Sequence, residues 1–224
     1  MRKFRNIYDE RYTQFLKYYP QVEKIYETPY SMPELDPLRH EIALCIMFGF
    51  HQAAITLTNH LIEWFVKLML IYKDSTKKSK TKDVSKKIVE NIEGLFKEGI
   101  DNYIDKDMSQ TISKAKSIGI FTKDQWKRLN EIRENYRNAF GHADSRKIFG
   151  DSEIKLTGMS TEEDKLRLEE PVSTKIAEMP IIQGLLKYKF AEAHSVEYFT
   201  YIDNLIRDTL PKVFPSSEDI FNNK

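Results

Sequence analysis

The central stretch of the chain, residues 38 to 72, constrains the fold most. Its apolar side chains recur every three or four residues, and a period near 3.6 residues predicts an α-helix. A helix of this length and apolar content is expected to carry much of the core, with a break at Gly49. The pattern is defined by Ile42, Leu44, Ile46, Phe50, Ala53, Ala54, Leu57, Leu61, Trp64, Phe65, Leu68 and Met69.

The rest of the chain also favours helices. Only 8 glycines and 8 prolines occur among 224 residues, too few for a protein built mainly from turns and short strands. Pro180 is expected at the start of its helix. We therefore predict an all-α protein, with further helices at 6–28 (ending or broken at Pro20), 88–99, 104–118, 122–141, between 174 and 188, and at 190–210. Two segments are predicted to lie outside helices: a small hairpin formed by 147–149 and 153–156, and an exposed acidic stretch at 161–170.

Charge and cysteine content limit the classes of function. The 35 Lys and Arg residues nearly balance the 34 Asp and Glu residues, for a net charge of +1, so any contact with nucleic acid must come from local patches. Cys45 is the only cysteine, which excludes a disulfide within one chain and suits a reducing compartment. No uncharged apolar run approaches the roughly 18 residues of a membrane span, and the N-terminus lacks a signal-peptide pattern. The prediction is a cytoplasmic protein.

One local patch is strongly basic. Residues 73 to 87 contain seven lysines and no large apolar residue before Val84. Such a run is usually a solvated, mobile loop. The alternative interpretation is a patch that attracts phosphate groups, with Lys77, Lys78, Lys80 and Lys82 as RNA-binding residues.

The helix predicted at 122–141 carries the most informative motif. Thr122 and Gln125 have the spacing of an N-terminal capping box. Near the other end stand Arg137, Asn138 and His142. An arginine guanidinium is a planar fork that fits phosphate oxygens, and a histidine side chain can take and return a proton near neutral pH.

With the long apolar helix before it and a last long helix after it, this motif resembles that of the HEPN superfamily. Arg137, Asn138 and His142 match the family motif residue by residue, and the resemblance extends over about residues 40 to 210. It implies a single domain, 1–224, folded as an up-and-down helical bundle. Residues 1–35 would then be an N-terminal helical extension and residues 143–172 an irregular or hairpin insertion.

The resemblance also implies an activity. Many members of the family are metal-independent endoribonucleases, in which an RNA 2′-OH attacks the adjacent phosphate. His142 would then serve as general base or acid, Arg137 would stabilise the phosphorane, and Asn138 would orient His142 or a phosphate oxygen. Because such a reaction needs two proton-transfer groups and one chain supplies one such histidine, a homodimer is implied.

Further partners and supporting residues follow from the same resemblance. Arg133, one turn before Arg137, joins the predicted RNA-binding residues, while Glu63 and Asp144 are candidates to support Arg137. A toxin or phage-defence role is implied, with RNA as substrate, no cofactor, and a nucleotidyltransferase-type antitoxin as a candidate partner.

Three alternatives remain open. In the first, Arg137 simply pairs with Glu134 or Asp144 on a solvated helix face while His142 caps the helix. In the second, His60 with Glu63, or His51 with other residues, ligates a metal, although no second Glu-x-x-His or matching carboxylate pair accompanies them. In the third, the chain is a HEPN-like module that binds a nucleotide, RNA or a protein without cleavage, or a plain helical dimerisation protein.

Overall fold

The protein is an all-α helical bundle with one small β-hairpin, which confirms the predicted fold class. The computed structural model describes residues 2–78, 88–141, 150–162, 165–168 and 170–214. The helices are α1 (Arg2–Glu27), α2 (Asp36–Met47), α3 (His51–Lys78), α4 (Ile88–Tyr103), α5 (Met108–Ser117), α6 (Lys123–Ile132), α7 (Asn138–Gly141) and α8 (Pro180–Val213), with a π-helical turn at Arg133–Arg137 and a 3-10 turn at Ile176–Glu178. The strands are β1 (Glu153–Leu156), β2 (Met159–Glu162), β3 (Lys165–Leu168) and β4 (Val172–Lys175).

Helix α3 is the centre of the bundle and packs against α8, α2, α4 and α5. Four consecutive side chains, Leu68 to Ile71, are all buried, so the helix is enclosed on every side at that turn. Its length and mean hydropathy of 1.3 fall in the range of a membrane span, but 67% of the apolar window is buried inside the bundle. This is the pattern of the core helix of a soluble protein.

The predicted break at Gly49 is confirmed. Gly49 separates α2 from α3 and has a φ of 78°, a conformation that favours glycine. A Cβ atom there would also lie 3.1 Å from the side chain of Gln14 on α1. Arg11 of the same helix donates a 2.8 Å hydrogen bond to the carbonyl of Phe48. The turn between α2 and α3 is therefore covered by α1.

A buried arginine joins the first two helices. Arg39 on α2 donates hydrogen bonds to the backbone carbonyls of Ile25 and Tyr26 at the end of α1, and pairs with Asp36 at 2.9 Å. Asp36 accepts in turn from backbone N–H groups in the α1–α2 connection. Carbonyls that the end of α1 leaves without helical partners are thus satisfied by a neighbouring helix.

Several predicted helix boundaries are wrong. Helix α1 continues through Pro20, which is exposed, because residues beyond it such as Val22 are buried against the bundle and hold the helix in place. Helix α5 begins at Met108 rather than at 104, since Asp107 caps it by accepting a hydrogen bond from the N–H of Gln110. The two helices expected after residue 174 are one continuous helix, α8, with Pro180 in its first turn as predicted.

The segment before α8 forms an antiparallel hairpin. Strand β1 pairs with β4 and β2 pairs with β3, with Leu156 opposite Val172 and Met159 opposite Leu168. The two pairs are nested in the sequence, with β2 and β3 lying between β1 and β4. The proposed partner of 153–156, residues 147–149, lies outside the described residues. The stretch at 161–170, expected to be merely exposed, contributes β2 and β3.

Helix α4 extends past Gly99, where the sequence predicts its end. A Cβ atom on Gly99 would lie 3.2 Å from the Cα of Ile71 and 3.4 Å from its carbonyl oxygen. Gly99 therefore allows α4 to approach α3 closely and does not mark the end of the helix.

This contact predicts a difference between two glycines of the same helix. A Cβ atom added at Gly94 would meet nothing within 4 Å, so Gly94→Ala should gain only helix propensity, up to about 1 kcal/mol. Gly99→Ala gains the same propensity but must push α3 and α4 apart. We expect it to be less stable than Gly94→Ala by about 1–2 kcal/mol in urea unfolding. Equal stabilities of the two variants would contradict the close packing.

Candidate functional site

The helix that carries the motif begins with the predicted capping box. The hydroxyl of Thr122 accepts from the N–H of Gln125 at 3.2 Å, and the Gln125 side chain accepts from the N–H of Thr122 at 2.9 Å. Leu129 and Ile132 then anchor α6 in the core. The start of the motif helix is thereby fixed in register relative to the bundle.

The predicted helix over 122–141 is present from Lys123 to Gly141, and the motif lies where it changes from α to π geometry. The N–H of Asn138 donates to the carbonyl of Arg133, five residues earlier. Such a turn accommodates one extra residue and is often found at functional sites. It ends at Arg137, the first residue of the motif.

Aromatic packing against α8 explains the wider turn. Tyr136 stacks on Tyr198 with ring centroids 4.5 Å apart, and Phe140 contacts Phe190 with centroids 6.2 Å apart. Positions 132, 136 and 140 are spaced by four residues, which would drift around a regular α-helix of 3.6 residues per turn. The π-helical turn offsets that drift and keeps these side chains on the face that meets α8.

The neighbouring face of the motif helix brings Arg137 to the central helix. The Nε of Arg137 lies 3.9 Å from one carboxylate oxygen of Glu63, and the Nζ of Lys67 lies 3.4 Å from the other. Lys67 also donates a 2.8 Å hydrogen bond to the carbonyl of Ile104. All three charged side chains are less than one-third exposed, so the pairs are only partly screened by solvent. Glu63, expected from the sequence to support Arg137, lies within ion-pair distance of it.

Asn138 connects Arg137 to its own helix. Its Nδ2 donates to Glu134 at 3.1 Å, and its Oδ1 lies 3.5 Å from the Nη1 of Arg137. Glu134 also accepts a 2.6 Å hydrogen bond from Arg133, whose side chain is 27% exposed. Arg133, predicted to bind RNA, is therefore engaged with the network that holds the motif.

The remaining predicted site residues are only partly described. His142 follows directly on Gly141, where α7 ends, and lies outside the described residues, as do Asp144, Lys80 and Lys82. Lys77 and Lys78 belong to the last turn of α3, and nothing is described of their side chains.

The structure separates the histidines considered as metal ligands. His51 is buried, packs edge-on against Tyr18 and lies 2.8 Å through Nδ1 from the hydroxyl of Ser195. Burial lowers its pKa, so the neutral ring is favoured in the core. His60 is exposed, nine residues along the same helix or about 13 Å away at 1.5 Å per residue. Within the described ranges, no three His, Cys, Asp or Glu side chains gather into a metal site.

Sequence reasoning missed two residues beside the motif, Lys67 and Trp64. The four-residue spacing from Glu63 to Lys67 was the available signal for an ion pair. Trp64, expected in the core, packs against it with a half-buried side chain and also lines a groove together with Lys67.

Comparisons of the chain with protein-family models, with curated proteins and with solved structures find no significant match.

The pair between Arg137 and Glu63 can be measured by a double-mutant cycle. Glu63→Gln and Arg137→Gln, alone and together, should give a coupling of about 0.5 kcal/mol in unfolding experiments, smaller at high salt. As a control, Glu63→Gln combined with Arg128→Gln should be additive, because Arg128 pairs with Glu131 instead. A coupling of zero between Glu63 and Arg137 would contradict the contact.

Proposed function

We propose that this protein is a cytoplasmic, metal-independent endoribonuclease of the HEPN type. The observation that carries the proposal is the placement of Arg137 at the end of a π-helical turn, beside Glu63 and Asn138. Holding a guanidinium in a defined position is what stabilisation of a pentavalent phosphate requires.

In the proposed reaction, the 2′-OH of RNA attacks the adjacent phosphorus and the bond to the 5′-oxygen of the next nucleotide breaks. One His142 accepts the proton of the 2′-OH, and a second His142 returns a proton to the leaving oxygen. The products are a 2′,3′-cyclic phosphate and a free 5′-OH. Arg137 neutralises the charge that develops on the phosphorane. Asn138 fixes the orientation of the Arg137 guanidinium.

The requirement for two histidines supports a homodimer, and the surface offers a place for it. Eight of the exposed large apolar residues lie on α1 up to Leu16, on the first half of α8 or on strand β4 before it. They are Ile7, Tyr8, Tyr12, Leu16, Val172, Ile181, Leu185 and Tyr188. An exposed apolar surface of this kind usually marks a contact with another protein.

The two helix halves lie at the same end of the bundle and next to the motif. Lys17 of α1 pairs with Glu192 of α8, and Arg207, farther along α8, donates a hydrogen bond to the carbonyl of Thr28 just after α1. Because the later residue of one helix contacts the later residue of the other, the two helices run in the same direction. The Nζ of Lys187 lies 4.7 Å above the ring of Phe140, at the end of the motif helix. A second copy bound to this surface would bring the two motifs toward a shared cleft.

The activity is tested with purified protein and a mixed RNA pool in EDTA. Wild-type protein should cleave RNA but not DNA, which lacks the 2′-OH. His142→Ala should lower the rate about a hundred-fold or more, as expected for a lost general acid or base. Arg137→Lys should also be impaired, because an ammonium cannot reproduce the bidentate guanidinium contact.

Thermal unfolding of each variant serves as the control for folding. The absence of cleavage by folded wild-type protein, or equal cleavage by His142→Ala, would contradict the nuclease proposal.

The dimer is tested by placing charge on the apolar surface. Tyr12→Glu and Leu185→Glu should shift the protein from dimer to monomer in light scattering coupled to size exclusion, and should reduce cleavage with it. Ile100→Glu is the matched control, since Ile100 is 43% exposed but lies on α4. A monomeric wild type, or dimers that both α1 and α8 variants leave intact, would rule out this interface.

The resemblance of the motif supports a biological role as a toxin or phage-defence effector, with a nucleotidyltransferase-type protein as its antitoxin. Expression of the wild type should then arrest growth, while expression of His142→Ala should not.

The alternative function is a non-catalytic module that binds a nucleotide, RNA or a protein. The ion pair of Arg137 with Glu63 favours this alternative, because a paired guanidinium is less available to phosphate. Folded protein that binds RNA without cleaving it would support the binding module.

A further inference from the structure

A groove beside the motif is suited to a ligand group other than phosphate. It is an open groove of about 530 Å³ between α2 and α3, and it is lined by Pro37, Leu38, Glu41, His60, Trp64 and Lys67, among others. The indole of Trp64 is half-buried and forms part of its apolar wall, while Glu41 and His60 stand exposed.

Lys67 links the groove to the motif. Lys67 lines the groove and contacts the same carboxylate of Glu63 that Arg137 contacts, at 3.4 Å and 3.9 Å respectively. A nucleotide whose phosphate reaches Arg137 would therefore have its neighbouring base within reach of the groove.

The charges at the groove favour a neutral ligand with hydrogen-bond donors over an anion. Glu34 and Glu41 line it, and the single lysine, Lys67, is already paired with Glu63. Glu34 accepts a hydrogen bond from the hydroxyl of Tyr72, whereas Glu41 has no hydrogen bond or ion pair with any residue that the structure describes. An unpaired carboxylate beside an aromatic ring repels phosphate but accepts readily from the amino and imino groups of a base.

We propose that this groove binds a nucleobase of the RNA, with guanine preferred. The base stacks on Trp64, a contact that every base can make through its π-face. Glu41 accepts from the N1–H and the N2 amino group of guanine, two adjacent donors that match the two oxygens of a carboxylate. Adenine and cytosine offer one amino group on this edge, and uracil offers one imino group. The inference rests on the proposed function, for which it supplies the base preference at the cleavage site.

The chain contains two tryptophans, so the groove can be observed directly. Trp126 lies on α6, where the Nζ of Lys116 stands 4.2 Å from its ring, away from the groove. In a Trp126→Phe variant, all tryptophan fluorescence comes from Trp64. Titration with GMP, AMP, CMP and UMP should quench it saturably, with GMP binding most tightly.

Two variants separate specific binding from general effects. In Trp64→Phe the only tryptophan is Trp126, and its fluorescence should show no saturable quenching. The signal of this variant therefore corrects for the light that the nucleotides absorb. In the Trp126→Phe background, Glu41→Gln should weaken GMP binding about tenfold, the loss expected for a charge-assisted hydrogen-bond pair, and remove most of the preference for guanine. Glu10→Gln, a carboxylate on α1, should leave binding unchanged.

The outcome distinguishes this inference from the nuclease proposal, because the titration needs no cleavage. Saturable, guanine-selective quenching in a protein that does not cleave RNA would support the groove and favour the binding module. RNA cleavage by a protein whose Trp64 fluorescence does not respond to GMP, or responds equally to all four nucleotides, would overturn the inference while leaving the nuclease intact. Unchanged GMP binding in Glu41→Gln would overturn it as well.

Discussion

The enclosure of α3 by its neighbours is the constraint on which the rest of the structure depends. Because this helix is apolar around its whole circumference near Leu68 to Ile71, α8, α2, α4 and α5 must pack against it. Gly99 allows α4 its close approach, and Gly49 allows α2 to fold back along α3. Glu63 and Lys67 are charged positions where α3 reaches the surface, and the motif helix meets α3 there.

A line of alternating charges crosses from the motif helix to the core helix. It runs from Arg133 through Glu134 and Asn138 to Arg137, and then through Glu63 to Lys67. Each cation in it has an acidic neighbour, which is consistent with a chain of net charge near zero. For the proposed reaction this arrangement means that RNA must compete with Glu63 for Arg137. Its benefit is a guanidinium held in place before the substrate binds.

The sequence predicted those features that depend on local patterns. The capping box at Thr122, the break at Gly49 and the early position of Pro180 in α8 all follow from nearby residues, and all are present. The features it missed depend on contacts between elements. Helix α1 passes through Pro20 because tertiary packing outweighs a lost hydrogen bond. The π-helical turn ending at Arg137 reflects the fit of an aromatic face to α8, which no local pattern displays.

The most direct measurement uses an RNA in which the wild-type protein's cleavage site has been mapped. The RNA is remade with a single 2′-deoxynucleotide on the 5′ side of the cut. If the 2′-OH is the nucleophile, cleavage at that position should be lost while cleavage at other sites continues and leaves 2′,3′-cyclic phosphate ends. Continued cleavage at the deoxy position would mean that another group attacks the phosphate, and would contradict the mechanism proposed for Arg137 and His142.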